Sequence, residues 1–84
     1  MIYSLKIKGS AAKEIRRLSP EDRSRVVAAI DGLKEQPHLG TLLKGQLTGL
    51  RRLRVGCYRV IYEVQDDVLV VLVLRVGHRR DVYR

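Results

Sequence analysis

The residues best suited to chemistry lie between Leu50 and Tyr83, where every basic side chain except one histidine is an arginine. Elsewhere in the chain, lysine and arginine are mixed. Arginine carries a fixed charge and a planar fork of donors that fits a phosphate, which lysine does not offer. Since a face that served only solubility would carry charges of both signs, the pattern favours a surface that holds phosphodiester oxygens. The seven arginines are Arg51, Arg52, Arg54, Arg59, Arg75, Arg79 and Arg80.

Other reactive side chains form weaker patterns. Cys57 has no histidine close to it in sequence, which argues against a thiol nucleophile. One cysteine and two scattered histidines do not have the spacing of a zinc site. Glu63, Asp66 and Asp67 are not a convincing acid pair, and Glu63 is expected to neutralise a neighbour on the arginine side. No metal or other cofactor is therefore expected.

The composition describes one small basic domain, spanning residues 1–84. The net charge is +8 and the pI is about 10.3, which favours nucleic acid, a ribosome, an acidic protein or an anionic membrane surface as partner. The single cysteine suits a reducing compartment. The N-terminus is too short and too charged for a signal peptide. The longest apolar run, Val68 to Leu74, is too short to span a bilayer. A cytoplasmic protein is expected.

The first quarter of the chain is predicted to be a strand followed by a short helix. Residues 2–8 alternate between apolar and polar side chains, which indicates a strand with one apolar face. Gly9 breaks this pattern, and Ser10 is predicted to cap a helix that continues through Leu18. Its buried stripe is predicted to be Ala11, Ile15 and Leu18.

A second helix is predicted to start at Pro20, because Ser19 can cap it and two acids lie in its first turn. Pro37 is predicted to end this helix after Gln36. The two helices should form an antiparallel hairpin, and residues 37–48 are interpreted as a connection without a clear period. The buried stripe of the second helix is predicted to be Val26, Val27, Ile30 and Leu33.

The second half is predicted to be a three-stranded meander, with turns at Gly56–Cys57 and Asp66–Asp67. The last strand is apolar on both faces, so it should lie inside the sheet with the first strand beside it. The fold class is therefore α+β: a helix hairpin packed on one face of a twisted, mainly antiparallel sheet. The predicted strands are Arg51 to Val55, Tyr58 to Gln65 and Val68 to Val76.

Alternation also sorts the side chains of the meander between two faces. Tyr62 and Val64 mark the better core face, which the helices should cover. Arg52, Arg54 and Arg59 should then lie together on the outward face. Arg51 falls on the core side, where its charged end should reach solvent near the end of the strand.

The order of these elements, with LRRLRVGCYRVIYEV followed by VGHRRDVYR, resembles the RelE/ParE toxin family of type II toxin–antitoxin systems. The resemblance covers essentially the whole chain. In this family, RelE-like members are ribosome-dependent endoribonucleases that cut mRNA, whereas ParE-like members block DNA gyrase without chemistry of their own. The resemblance also implies a cognate antitoxin as protein partner. A plain RNA-binding domain is a third, weaker interpretation.

The resemblance implies a catalytic set of Arg52, Arg54, Arg59, Arg79 and Tyr83. All five are present, which favours the RelE-like branch. The best-known members carry lysines on the sheet where this chain has Arg52 and Arg54. Because arginine does not release its proton at useful pH, proton transfer would fall to Tyr83 or His78.

Four further residues are predicted to contact RNA: Arg75, His78, Arg80 and Arg84. His78 follows Gly77 at the end of a strand, beside Arg79. It could give a proton to the leaving oxygen or stack on a base. An exposed histidine that is bonded to a backbone group is an equally good interpretation.

Overall fold

The computed structural model describes residues 2–78, which form an α+β fold of two helices and a five-stranded sheet. The predicted fold class is confirmed. Neither described helix is long and apolar enough to cross a lipid bilayer. In chain order the elements are β1 (Ser4–Ile7), α1 (Gly9–Arg16), α2 (Pro20–Gly32), β2 (Thr41–Leu42), a 3₁₀ turn (Gly45–Leu47), β3 (Leu50–Val55), β4 (Tyr58–Gln65) and β5 (Val70–His78).

The sheet has the strand order β1-β5-β4-β3-β2, and β1 alone pairs in parallel. The apolar strand β5 lies between β1 and β4, so the prediction that it needs a neighbour on each side is confirmed. The register pairs Ser4 with Val70 and Ile7 with Val73. The strand begins at Val70 instead of Val68, because Leu69 takes a left-handed conformation that extends the turn.

The start of α2 follows the sequence prediction, whereas the start of α1 and the end of α2 do not. Ser19 accepts a hydrogen bond from the Asp22 amide at 3.3 Å, with proline at the first helical position. The predicted cap at Ser10 is wrong, because α1 already begins at Gly9 and Lys8 is its N-cap. The helix α2 ends at Gly32, four residues before Gln36. There the Leu33 amide bonds the Ile30 carbonyl in a tighter i→i−3 turn.

The helices cover one face of the sheet, and the core lies between the two layers. Ala11 and Ile15 of α1 and Val26, Ile30 and Leu33 of the α2 region are buried there, as predicted. Val27 is an exception, since 48% of its surface is exposed. It lies about 100° around the helix from Val26 and therefore points away from the sheet. The sheet contributes Val60, Tyr62, Val71, Val73 and Val76 to this core.

The prediction for residues 37–48 missed the short edge strand β2. Thr41 pairs with Arg52 and Leu42 with Arg51 in antiparallel register. Two residues are too few to show a period-2 pattern, so the sequence contains no signal for this strand. It matters for the site because it lies along the edge of β3.

The buried hydroxyl of Tyr62 attaches the connection before β2 to the sheet. It accepts a hydrogen bond from the Gly40 amide at 2.8 Å and donates one to the Pro37 carbonyl at 2.9 Å. Arg51 donates from Nη1 to the Gly40 carbonyl at 2.8 Å. A Cβ atom at Gly40 would lie 2.6 Å from the Tyr62 hydroxyl and 2.7 Å from the Arg52 carbonyl. Only glycine fits this contact.

Gly40→Ala is therefore expected to lower the free energy of unfolding by about 1–3 kcal/mol, because the added methyl overpacks a site bounded by backbone. Gly32→Ala is the matched control, since nothing lies within 4 Å of a Cβ atom there. That control should be neutral or stabilising by up to about 1 kcal/mol. Urea unfolding of both variants measures the difference, and equal midpoints would contradict the prediction.

Three segments meet at Asp66 in the turn between β4 and β5. Tyr3 donates its hydroxyl to Asp66 Oδ1 at 2.5 Å, and His38 Nε2 lies 3.2 Å from the same oxygen. The hydrogen bond from Tyr3 lowers the pKa of Asp66 below its usual 3.8, with His38 and Arg51 acting in the same direction. The cluster joins the start of the chain and the connection to this turn.

Because the pKa of Asp66 is lower in the folded state, its carboxylate stabilises the fold above pH 3.8. This stabilisation is lost as the pH falls through the pKa of Asp66 in the folded state. We therefore expect the stability difference between wild type and Asp66→Asn to shrink as pH is lowered below about 3.8. Asp67→Asn, at the exposed neighbouring position, is the control. The measurement is urea unfolding from pH 6 to pH 2. A difference that stays constant over that range would contradict the assignment.

Candidate functional site

The pairing of β3 with β4 brings three arginines together on the sheet face opposite the helices. Arg54 lies directly opposite Arg59, and Arg52, two residues along β3, lies opposite Ile61. The prediction that Arg52, Arg54 and Arg59 share one face is confirmed. Arg54 is exposed, and the other two are half-buried. We call these three residues the arginine face.

The arginine face concentrates positive charge at one point of the sheet. Side chains directly opposite on antiparallel strands have Cβ atoms about 4.5–5.5 Å apart, and like charges at that separation are unfavourable. An anion placed between Arg54 and Arg59 reverses the sign of that interaction. Ile61, only 3% exposed, lies beside them on the same face and supports the strand beneath the charges. The arrangement is suited to holding a phosphate group.

Two other predicted arginines are held by contacts elsewhere. Arg51 lies on the core side, as predicted, and donates to the carbonyls of His38 and Gly40. Arg75 is opposite Ile61, but its guanidinium reaches Glu14 of α1, with Nη2 and Oε2 3.5 Å apart. It therefore lies at the margin of the arginine face.

Glu14 is a residue that sequence reasoning missed. Its Oε1 accepts a hydrogen bond from the Val76 amide at 3.0 Å, on the part of β5 beyond the end of β1. The same carboxylate meets Arg75. In the sequence Glu14 is indistinguishable from any charged residue on the solvent side of a helix, so no local signal points to this contact.

His78 lies on the helix side of the sheet, away from the arginine face. It is opposite Tyr58, and the two rings meet edge to face with centroids 6.1 Å apart. Tyr58 donates its hydroxyl to Asp22 Oδ2 of α2 at 3.0 Å. With Arg25, Val55, Gly56 and Cys57, these side chains line a cavity of about 320 Å³ at that end of the sheet. The structure does not bring His78 together with Arg52, Arg54 and Arg59.

The described tyrosines are all hydrogen-bond donors to protein oxygens. Bonds to Asp66 and Asp22 raise the pKa of Tyr3 and of Tyr58, respectively, above 10. Burial raises the pKa of Tyr62. A raised pKa disfavours the phenolate, so none of these three is set up as a general base. The predicted residues Arg79, Arg80, Tyr83 and Arg84 lie outside the described part of the chain.

Comparisons with known proteins agree on one family. A family model described as "ParE toxin of type II toxin-antitoxin system, parDE" matches residues 5–83. Toxin RelG of Mycobacterium tuberculosis is 34% identical over 86 residues, covering 100% of this chain and 99% of the relative. Toxin RelE of the same organism is 33% identical over 84 residues, covering 98% and 87%.

Solved structures have the same fold as this chain. The RelBE2 toxin–antitoxin complex of Mycobacterium tuberculosis contains a chain with a TM-score of 0.86 and 31% identity, covering 94% of this chain and 100% of that one. The archaeal RelE–RelB complex from Pyrococcus horikoshii contains one with a TM-score of 0.79 and 30% identity, covering 98% and 100%. The first of these structures is described as a toxin–antitoxin complex and the second as a RelE–RelB complex.

Proposed function

We propose, because the chain belongs to the RelE/ParE family of type II toxin–antitoxin toxins, that it is a ribosome-dependent endoribonuclease that cuts mRNA and so inhibits translation. The observation that carries this proposal is the arginine face, where Arg54 lies directly opposite Arg59 with Arg52 beside them. Such a group of fixed cations suits a phosphodiester whose negative charge grows as the reaction proceeds.

The proposed reaction is an attack of a ribose 2′-oxygen on the adjacent phosphorus. A base removes the 2′-OH proton, the new P–O bond forms, and the bond to the 5′-oxygen breaks as that oxygen takes up a proton. The products are a 2′,3′-cyclic phosphate and a free 5′-OH. Arg52, Arg54, Arg59 and Arg79 bind the phosphate oxygens and stabilise the crowded phosphorane. The scheme requires no metal ion.

Tyr83 is the proposed general base. The three described tyrosines donate their hydroxyls to protein oxygens and have raised pKa values, which makes them poor bases. Arginine does not serve either, because it does not release its proton at working pH. A phenol beside several guanidinium groups has its phenolate favoured. Tyr83 is close in sequence to Arg79, Arg80 and Arg84.

RNA binding outside the reacting phosphate is assigned to Arg75, His78, Arg80 and Arg84. Arg75 lies on β5 at the margin of the arginine face. Its contact with Glu14 fixes the guanidinium at that edge. His78 is on the opposite side of the sheet, so it can contact the RNA only if the RNA chain passes around the end of β5.

The protein partner is proposed to be an antitoxin that inhibits this chain by covering it. A similar solved chain belongs to a toxin–antitoxin complex, and the net charge of +8 favours an acidic segment. Apolar side chains are also exposed for such a segment to cover, among them Ile2, Leu39, Leu42 and Val68. Because mRNA and ribosomes are the proposed targets, the site of action is the cytoplasm.

A second candidate function is inhibition of DNA gyrase without chemistry. One specific observation favours it: the matching family model is described as a ParE toxin. The net positive charge does not discriminate between a nuclease and a gyrase inhibitor, because both functions are compatible with a basic protein.

Translation in a cell-free extract separates these functions. The purified chain is added to an extract that translates a defined message, and the 5′ ends of the fragments are mapped. We expect translation to stop and the message to be cut only where ribosomes cover it. Normal translation with intact message, together with loss of gyrase supercoiling in a parallel assay, would overturn the proposal and support the second candidate.

A further inference from the structure

A hollow of about 320 Å³ lies along β3, beside the arginine face. Its volume is at the lower end of the range for small-molecule sites, about 300–1,000 Å³. One wall of the hollow is formed by the start of the short strand β2 and by the connection that precedes it. The residues that line it are Leu39, Gly40, Thr41, Arg52, Leu53 and Arg54.

Two of these lining residues also belong to the arginine face, so the hollow and the proposed phosphate site share side chains. Arg52 and Arg54 have neighbouring positions on one face of β3, and Thr41 pairs with Arg52 across β2 and β3. Residues paired in this way project to the same side of a sheet. Any ligand held by Arg54 and Arg59 therefore lies next to the mouth of the hollow.

The hollow has an apolar side as well. Leu39 lines it and keeps 61% of its surface exposed. The close contact at Gly40 with the Tyr62 hydroxyl and the Arg52 carbonyl fixes the backbone next to Leu39. The position of this wall is therefore fixed by its contact with the buried Tyr62 side chain.

We propose that the hollow binds one nucleobase of the single-stranded RNA whose phosphate lies on the arginine face. A nucleotide joins a flat, apolar ring to an anionic phosphate, and these two features match Leu39 and the Arg54–Arg59 pair. Single-stranded RNA offers unstacked bases that can be splayed out into a hollow on a protein surface. The inference rests on the proposed function in taking the polyanion to be RNA.

This assignment makes Leu39 a residue that positions the RNA and contributes to base preference. It does not touch the reacting atoms. Leu42 is its matched control, because it is a second exposed leucine on the same segment, 54% exposed, and does not line the hollow. Both variants are expected to fold, since neither side chain is part of the core.

The experiment measures binding of a short single-stranded RNA by fluorescence anisotropy. Every ribose carries a 2′-O-methyl group, so that the 2′-oxygen cannot attack. A matched set of RNAs lacks the base at one position at a time. For wild type we expect removal of one particular base to weaken binding about tenfold, the size of losing the burial of one base against an apolar side chain. Leu39→Ala should lose this preference, Leu42→Ala should keep it, and all three proteins should bind that abasic RNA equally.

Each other outcome overturns the inference. Wild type that binds intact and abasic RNA equally has no base site. If Leu39→Ala and Leu42→Ala bind the intact RNA equally well, the base lies elsewhere. If Leu39→Ala loses binding of the antitoxin but keeps the base preference, the hollow is assigned to the antitoxin. The proposed function fails separately: an absent cut in the translation extract alongside an intact base preference would leave the hollow as a base site on a protein that is not a nuclease.

Discussion

Replacing Tyr83 by phenylalanine is expected to lower the rate of message cutting by about 10²–10⁴-fold, the usual contribution of a general base. The substitution keeps the aromatic ring and removes only the ionisable hydroxyl. Ribosome binding should therefore persist, and the defect should lie in the chemical step. The measurement is single-turnover cutting of a ribosome-bound message across a pH series.

The pH profile tests the role of Tyr83 more sharply than the rate alone. If its phenolate is the base, the wild-type rate rises with pH below the pKa of this residue, and the variant loses that rise. Tyr58→Phe is the control, because Tyr58 lies on the helix side, bonded to Asp22, and its loss should leave the profile unchanged. Cutting by Tyr83→Phe at the wild-type rate and with the wild-type profile would remove tyrosine as the base.

Arg59→Ala is expected to lower the rate of the same reaction by about 10²–10³-fold, the cost of losing one well-placed charge donor. Arg59 belongs to the arginine face and lies directly opposite Arg54. RNA binding should weaken as well, because in the proposed reaction this side chain contacts the phosphate in the ground state and in the transition state. Arg59→Lys should retain part of the rate, since the charge remains and the bidentate fork is lost.

The control for Arg59 must remove the same charge from another surface. Arg17→Ala does so, because Arg17 is an exposed residue at the end of α1, in the helix layer. Its effect on cutting should be small and should disappear at higher salt, where long-range attraction is screened. Equal losses in Arg59→Ala and Arg17→Ala would reduce the arginine face to a contribution of net charge. Urea midpoints of both variants separate these effects from loss of the fold.

The sequence by itself determined the features that depend on neighbouring residues. Period-2 alternation along β3 and β4 separated Arg52, Arg54 and Arg59 from Tyr62, since successive side chains of a strand project to opposite faces. The apolar character of β5 on both faces determined its place inside the sheet, and the Ser19–Pro20 pair determined where α2 starts. Each of these follows from local geometry that no distant contact overrides.

Only the tertiary structure decided the features that depend on residues far apart in the chain. The contact between Glu14 and the Val76 amide spans 62 positions, and the bond between the Gly40 amide and the Tyr62 hydroxyl spans 22. These contacts place Arg75 at the margin of the arginine face and hold the wall of the hollow next to Arg52. Local patterns contain no record of them, because a hydrogen bond between distant segments depends on the packing of the whole sheet. Strand β2 could not be predicted for the same reason, since its two residues become a strand only by pairing with β3.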